Sequence, residues 1–209
     1  MSKPVLAYHF TDGYHLRDGA PLEVGREYVF DGEPVMCECG YHASRHVFDA
    51  MMNAPGSILS RVECKEITDE CDDKLVCRRR RVIATIDATK ILQKFARMCA
   101  LDVIHLWDAP DVVVRYLKTG DESLRDAARI PAWDASSARA SGAASSAEAA
   151  AMDAAWAAWA AARSAAWAAA RSAAWAAALD AARAAAKDVA MQGKRVRLAR
   201  MVTQEMGAQ

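Results

Sequence analysis

The chain has 209 residues, enough for one globular domain with an extension or for two small domains. Lys+Arg and Asp+Glu balance at 27 each, so no overall charge draws it to nucleic acid or to a membrane surface. No apolar run reaches the roughly 18 residues of a membrane span, and MSKPVLAYHF lacks the apolar core of a signal peptide, so the six irregularly spaced cysteines are expected as thiols in a cytoplasmic setting.

In chain order, VLAYHF (5–10) predicts a strand, followed by turn signals at Asp12-Gly13 and Asp18-Gly19. GREYVFDGEPVMCECG holds two short strands around Asp31-Gly32, a hairpin signal. Ser44 is placed to cap a short helix over RHVFDAMMN, which closes near Asn53-Ala54-Pro55-Gly56. SILSRVEC (57–64) alternates as a strand does, and LVCRRRRVIATID (75–87) predicts another. Apolar residues at helical spacing follow over 88–107, punctuated by Asp108-Ala109-Pro110. DVVVRYLKT then closes at Gly120, and DESLRDAARI makes one more helix before Pro131.

The fold class is therefore α+β: a small mixed strand-helix domain over 1–130, an Ala/Trp/Arg-rich helical region over 131–192 and a basic segment over 193–209. Between Ala149 and Lys187 roughly two-thirds of the positions are alanine, the best helix former. A helix from Ala143 to Ala190 would span on the order of 70 Å at 1.5 Å per residue.

Trp159, Arg163, Trp167, Arg171 and Trp175 recur every four residues, so each arginine lies between two indoles, in cation–π range. A row of period four drifts about 40° per step around a helix, so contact from more than one side is implied, as in a bundle. Trp156 extends the aromatic face. These six residues predict homo-oligomerisation; a stacking surface for bases and an ice-binding face are the competing readings.

Chemistry could sit in two places. CECGYHASRH gathers Cys37, Cys39, His42 and His46, yet the spacing fits no common zinc motif, and no metal or cofactor is predicted; the competing reading is a corner with Cys37 buried. Lys74, Arg78 and Arg80 would share one face of a strand, with Arg79 and Arg81 on the other. They suit phosphate recognition, or else they protect an edge or pair with Asp69, Glu70, Asp72 and Asp73.

The first 130 residues resemble a family met mainly in phage and prophage genomes. AYHF (7–10), LRDG (16–19), the VG..Y..DG pattern (24–32), C..G.HAS (37–44), D.LV.RRR (73–80) and the block over 100–129 carry the resemblance. It implies a cytoplasmic location in an infected bacterial host, and it supplies no activity. YHFT (8–11) and GYHAS (40–44) are also similar, in order and spacing, to the paired strands of ADP-ribosyltransferase-like folds. That likeness would place His9, Thr11, Tyr41, His42 and Ser44 around a nucleotide pocket. The late catalytic glutamate of those folds has no clear counterpart, Glu63 and Glu66 being the available residues.

Three functions follow. The first is a non-catalytic oligomer that sequesters a nucleotide-type signal of host defence, with Lys74, Arg78 and Arg80 taking phosphate. The second is an ADP-ribosyltransferase-like enzyme or nucleotide hydrolase, which needs Glu63 or Glu66 in the same cleft as His9. The third is an inhibitor docking on a host protein through the Trp/Arg helix. Nucleic acid is not an expected partner of a neutral chain without a recognisable reading motif; the basic end over 193–202 reads as a solvated helix or strand.

Overall fold

The computed structural model describes residues 3–106, 108–137 and 187–207. These form strands β1 (Val5–Thr11), β2 (Glu27–Val29), β3 (Tyr41–Ala43), β4 (Ile58–Glu70) and β5 (Leu75–Asp87), and helices α1 (Val47–Met52), α2 (Thr89–Val103), α3 (Asp111–Thr119), α4 (Arg125–Ser137) and α5 (Lys187–Gly207). The class is α+β. The chain divides into two compact units, Met1–Thr89 with Arg195–Gln209, and Lys90–Lys194.

The first unit is built on an antiparallel sheet in the order β1-β4-β5-β2, with β3 also paired to β5. Strand β5 is long enough to carry both short strands end to end. Glu27–Val29 lie against Arg79–Arg81, and Tyr41–Ala43 against Leu75–Cys77. Just past β3, Ser44 exchanges two backbone hydrogen bonds with Tyr8, at 2.8 and 2.9 Å. The strand path therefore returns from β3 to β1. Ala7, Leu16, Tyr28, Ala43, Val62, Leu75 and Val82 pack together as the core. Complete burial of such aliphatic side chains is worth about 1.5–3 kcal/mol each. Helix α1 adds Val47, Phe48 and Met51 to the buried set, and α5 adds Leu198 and Val202. The buried Asp49 carboxylate of α1 accepts a 2.9 Å hydrogen bond from Arg195 of α5.

In the second unit, α2 buries Ile91, Leu92, Phe95, Ala96, Cys99, Ala100 and Val103, a single stripe at helical spacing. Helix α3 buries Val113, Tyr116 and Leu117 and ends at Gly120, whose φ of +69° makes it a left-handed cap.

Four expectations need correction. The Asp31-Gly32 hairpin does not form, because β2 and β3 each pair with β5 and not with each other. Pro34 removes a donor there, and Val35 and Cys39 close a tight turn on themselves. Ser44 does not cap α1. Its backbone is spent on Tyr8, and the cap position falls to His46, without a side-chain bond. Strand β4 runs six residues past Cys64, through the charged segment up to Glu70, because Ile67, Asp69 and Glu70 find partners on β5. Helix α4 continues through Pro131 to Ser137. Proline forfeits one backbone bond there, while Ala128 and Ala132 are buried on either side of it.

The basic end is helical and not simply a solvated face, since Leu198 and Val202 are buried. The ladder residues Trp156, Trp159, Arg163, Trp167, Arg171 and Trp175 lie outside the described residues, as does the predicted helix over 143–190 apart from 187–190. Among the described residues no helix is long and apolar enough to cross a membrane.

Candidate ligand-binding cleft

The bridge between Tyr8 and Ser44 sets the two sequence-predicted segments side by side. A cleft of about 960 Å³ opens over them. Its walls are Tyr8–Asp12 of β1 and its end, the 37–44 segment, the turn holding Arg17 and Asp18, and Asn53 beyond α1, with Lys74 and Arg80 contributed by the β5 side.

Backbone geometry fixes these walls. Gly40 adopts φ +92°, and a Cβ there would meet the Pro34 Cβ at 2.6 Å and Val76 Cγ2 at 3.0 Å. Cys37 is also left-handed, at φ +66°, and is exposed rather than buried. Its amide donates to His42 Nε2 at 2.9 Å. The His42 ring thus braces the turn. At the far end of β1, the buried Thr11 hydroxyl donates to the Gly13 carbonyl at 2.5 Å.

The arginine run separates into different environments. Arg79 pairs with Glu27 and Glu66, and Arg81 with Glu63; Lys65 joins Glu27 to Glu63. Arg78 donates to the Gly32 carbonyl at 2.7 Å and pairs with Glu33. None of the three lines the cleft, so Arg78 does not share a site with Arg80 and Lys74. The acids just upstream are not the partners either, Glu70 being taken by Arg45.

Arg80 goes inward. It is 2% exposed, its Nη1 donates to the His42 carbonyl at 3.0 Å, and its guanidinium carbon stands 4.8 Å from the centroid of the Tyr41 ring. Burial pulls its pKa down, opposed by the neighbouring Cys64 and Cys77 thiols; a guanidinium nonetheless stays charged at neutral pH. Taking such a charge out of water costs several kcal/mol unless it is paired. Burial also holds His9 well below the ordinary histidine value, reinforced by Arg80 and His42, so its imidazole is neutral at pH 7. His42 is lowered as well, by burial first and then by Lys74. The Cys77 thiol donates to the Tyr41 carbonyl at 3.3 Å, and its neighbour Cys64, buried beside it, has its thiol pushed up.

The cleft collects His9, Thr11, Tyr41, His42, Ser44, Lys74 and Arg80 from the predicted ligand set, and leaves out Arg78. It also includes Arg17 and Asn53, which the residue-by-residue reading missed; the LRDG segment was the available signal for Arg17. Neither Glu63 nor Glu66 lines it. Among the described residues no three His, Cys, Asp or Glu side chains converge as a metal site. Compared with family models, curated proteins and solved structures, the chain matches none.

Proposed function

We propose that the cleft binds a nucleotide-type small molecule and holds it without turning it over. The observation that carries this reading is convergence: residues from two distant segments, 8–11 and 40–44, line one cleft with Lys74 and Arg80. The cleft volume, about 960 Å³, lies within the usual range for small-molecule sites.

Capture needs affinity and a preformed site rather than a catalytic acid or base. Two of the groups available for chemistry are already committed, the Thr11 hydroxyl to Gly13 and the His42 ring to the Cys37 amide. Glu63 and Glu66 are engaged in ion pairs elsewhere, so neither serves the transferase alternative, and the one glutamate on the cleft wall, Glu38, is exposed. The phage-family resemblance supplies a context in which capture alone is useful, namely removal of a nucleotide signal of host defence. In that context the Trp/Arg-rich segment would assemble copies into a homo-oligomer.

Isothermal titration of the full chain with cyclic dinucleotides, cyclic ADP-ribose isomers and NAD tests the reading. Saturable binding by at least one, with the ligand recovered intact, is expected. Flat traces throughout, or a chemically altered ligand, contradict it.

A further inference from the structure

We infer that the cleft is built around a phosphate group, with the Arg80 guanidinium as its anchor, so that the ligand is a phosphorylated nucleoside rather than a neutral one. The inference rests on the cleft being the ligand site.

Four consecutive arginines, Arg78 to Arg81, differ sharply in their surroundings. Arg78, Arg79 and Arg81 keep side-chain exposures of 39–44% and each has a glutamate partner. Arg80 is buried and has no carboxylate within ion-pair distance among the described residues. Its Nη1 reaches only a backbone carbonyl, and its Nε, like that of ion-paired Arg79, is enclosed without an acceptor. A buried cation is normally paired, and here the carboxylate is missing where the chain forms a cleft.

The rest of the site fits the same anion. The Tyr41 ring packs against the guanidinium, at 4.8 Å from its carbon to the ring centroid, and a guanidinium fork matches phosphate oxygens in a bidentate way. Lys74, also on the wall, lies near Cys37 and Asp73 and forms no ion pair among the described residues, and Arg17 lies on the rim. The carboxylates that line the cleft, Asp12, Asp18 and Glu38, are all exposed, whereas Arg80 is buried. His9 contributes an imidazole able to hydrogen-bond an oxygen. Arg17 is as exposed as those three carboxylates, so the buried Arg80 and the half-buried Lys74 are the cations that mark the anion site.

The test is calorimetric titration of the full chain with adenosine, adenosine monophosphate and inorganic phosphate. The nucleotide is expected to bind at least tenfold more tightly than the nucleoside. Arg80→Gln is expected to abolish that difference, and Arg78→Gln to preserve it. Should Arg80→Gln fail to fold, Lys74→Gln on the half-buried wall takes its place and is expected to narrow the gap. Equal binding of nucleoside and nucleotide overturns the phosphate anchor and leaves the cleft reading standing. Phosphate binding that depends on Arg80, with no gain from the nucleoside moiety, keeps the anchor and overturns the nucleotide reading. Absence of heat with both phosphate and nucleotide overturns the anchor.

Discussion

The guanidinium of Arg80 stacks on Tyr41 at 4.8 Å, and the Tyr41 ring is in turn held edge-on by Tyr28 at 6.2 Å. Arg80 is thus fixed in orientation while its charge goes uncompensated by any carboxylate among the described residues. A charge buried for binding rather than for folding has a measurable signature. Arg80→Met is expected to leave the stability of the ligand-free protein unchanged or to raise it, because an apolar side chain of similar volume removes a desolvation cost of several kcal/mol and loses one charge-assisted hydrogen bond worth about 1.5–3 kcal/mol. Urea denaturation reads this directly. A loss of more than about 2 kcal/mol would assign Arg80 to the fold instead.

The two cleft histidines set a pH dependence. Both are held below 6.5, the ordinary value they regain on unfolding. The unfolded chain therefore binds more protons below that pH, and stability falls as the solution is acidified through 6.5. The slope approaches about 1.4 kcal/mol per pH unit for each site that is protonated only when unfolded. His9→Gln is expected to flatten the profile of urea midpoints between pH 7.5 and 5. An unchanged profile would mean that His9 is not held neutral by its surroundings.

Gly40→Ala and Gly19→Ala separate backbone strain from steric conflict. Both glycines have positive φ, but a Cβ at Gly19 meets nothing within 4 Å, whereas at Gly40 it meets Pro34 and Val76. The strain alone is about 1–2 kcal/mol. Gly19→Ala is expected to cost about that much, and Gly40→Ala clearly more, with ligand binding weakened because the 37–44 wall shifts. Equal losses at the two positions would contradict the close approach.

Arg78→Gln provides the opposite expectation. Its partner Glu33 keeps 75% of its side-chain surface exposed, and pairs of this kind contribute about 0–1 kcal/mol. Stability is expected to change by less than about 1 kcal/mol in urea titration, and ligand affinity not at all. A tenfold loss of affinity would place Arg78 in the site after all.

Much of the first unit was legible from local pattern. Strands β1 and β5 follow from alternation and β-branched content, and in the second unit the end of α3 follows from Gly120. What misled was non-local. Asp31-Gly32 carries a hairpin signal, but β5 is long enough to recruit both flanking strands separately. Ser44 is a good cap residue, but Tyr8 claims its backbone. The charged end of β4 reads as a loop until its partners on β5 are known. In the cleft, the likeness of YHFT and GYHAS to the paired strands of ADP-ribosyltransferase-like folds named five wall residues, while strict alternation along 74–81 could not tell that Arg78 would turn to Gly32 and Glu33 and Arg80 inward. Burial of an arginine is decided by what packs over it, which one strand's sequence does not record.

The central claim is capture without chemistry, and native mass spectrometry of the full chain incubated with a mixture of mono-, di- and cyclic nucleotides tests it most directly. The expected result is a protein peak carrying one intact nucleotide mass per chain, lost on Arg80→Gln. A bare protein, or an adduct with the mass of a cleaved or transferred fragment, would contradict the account.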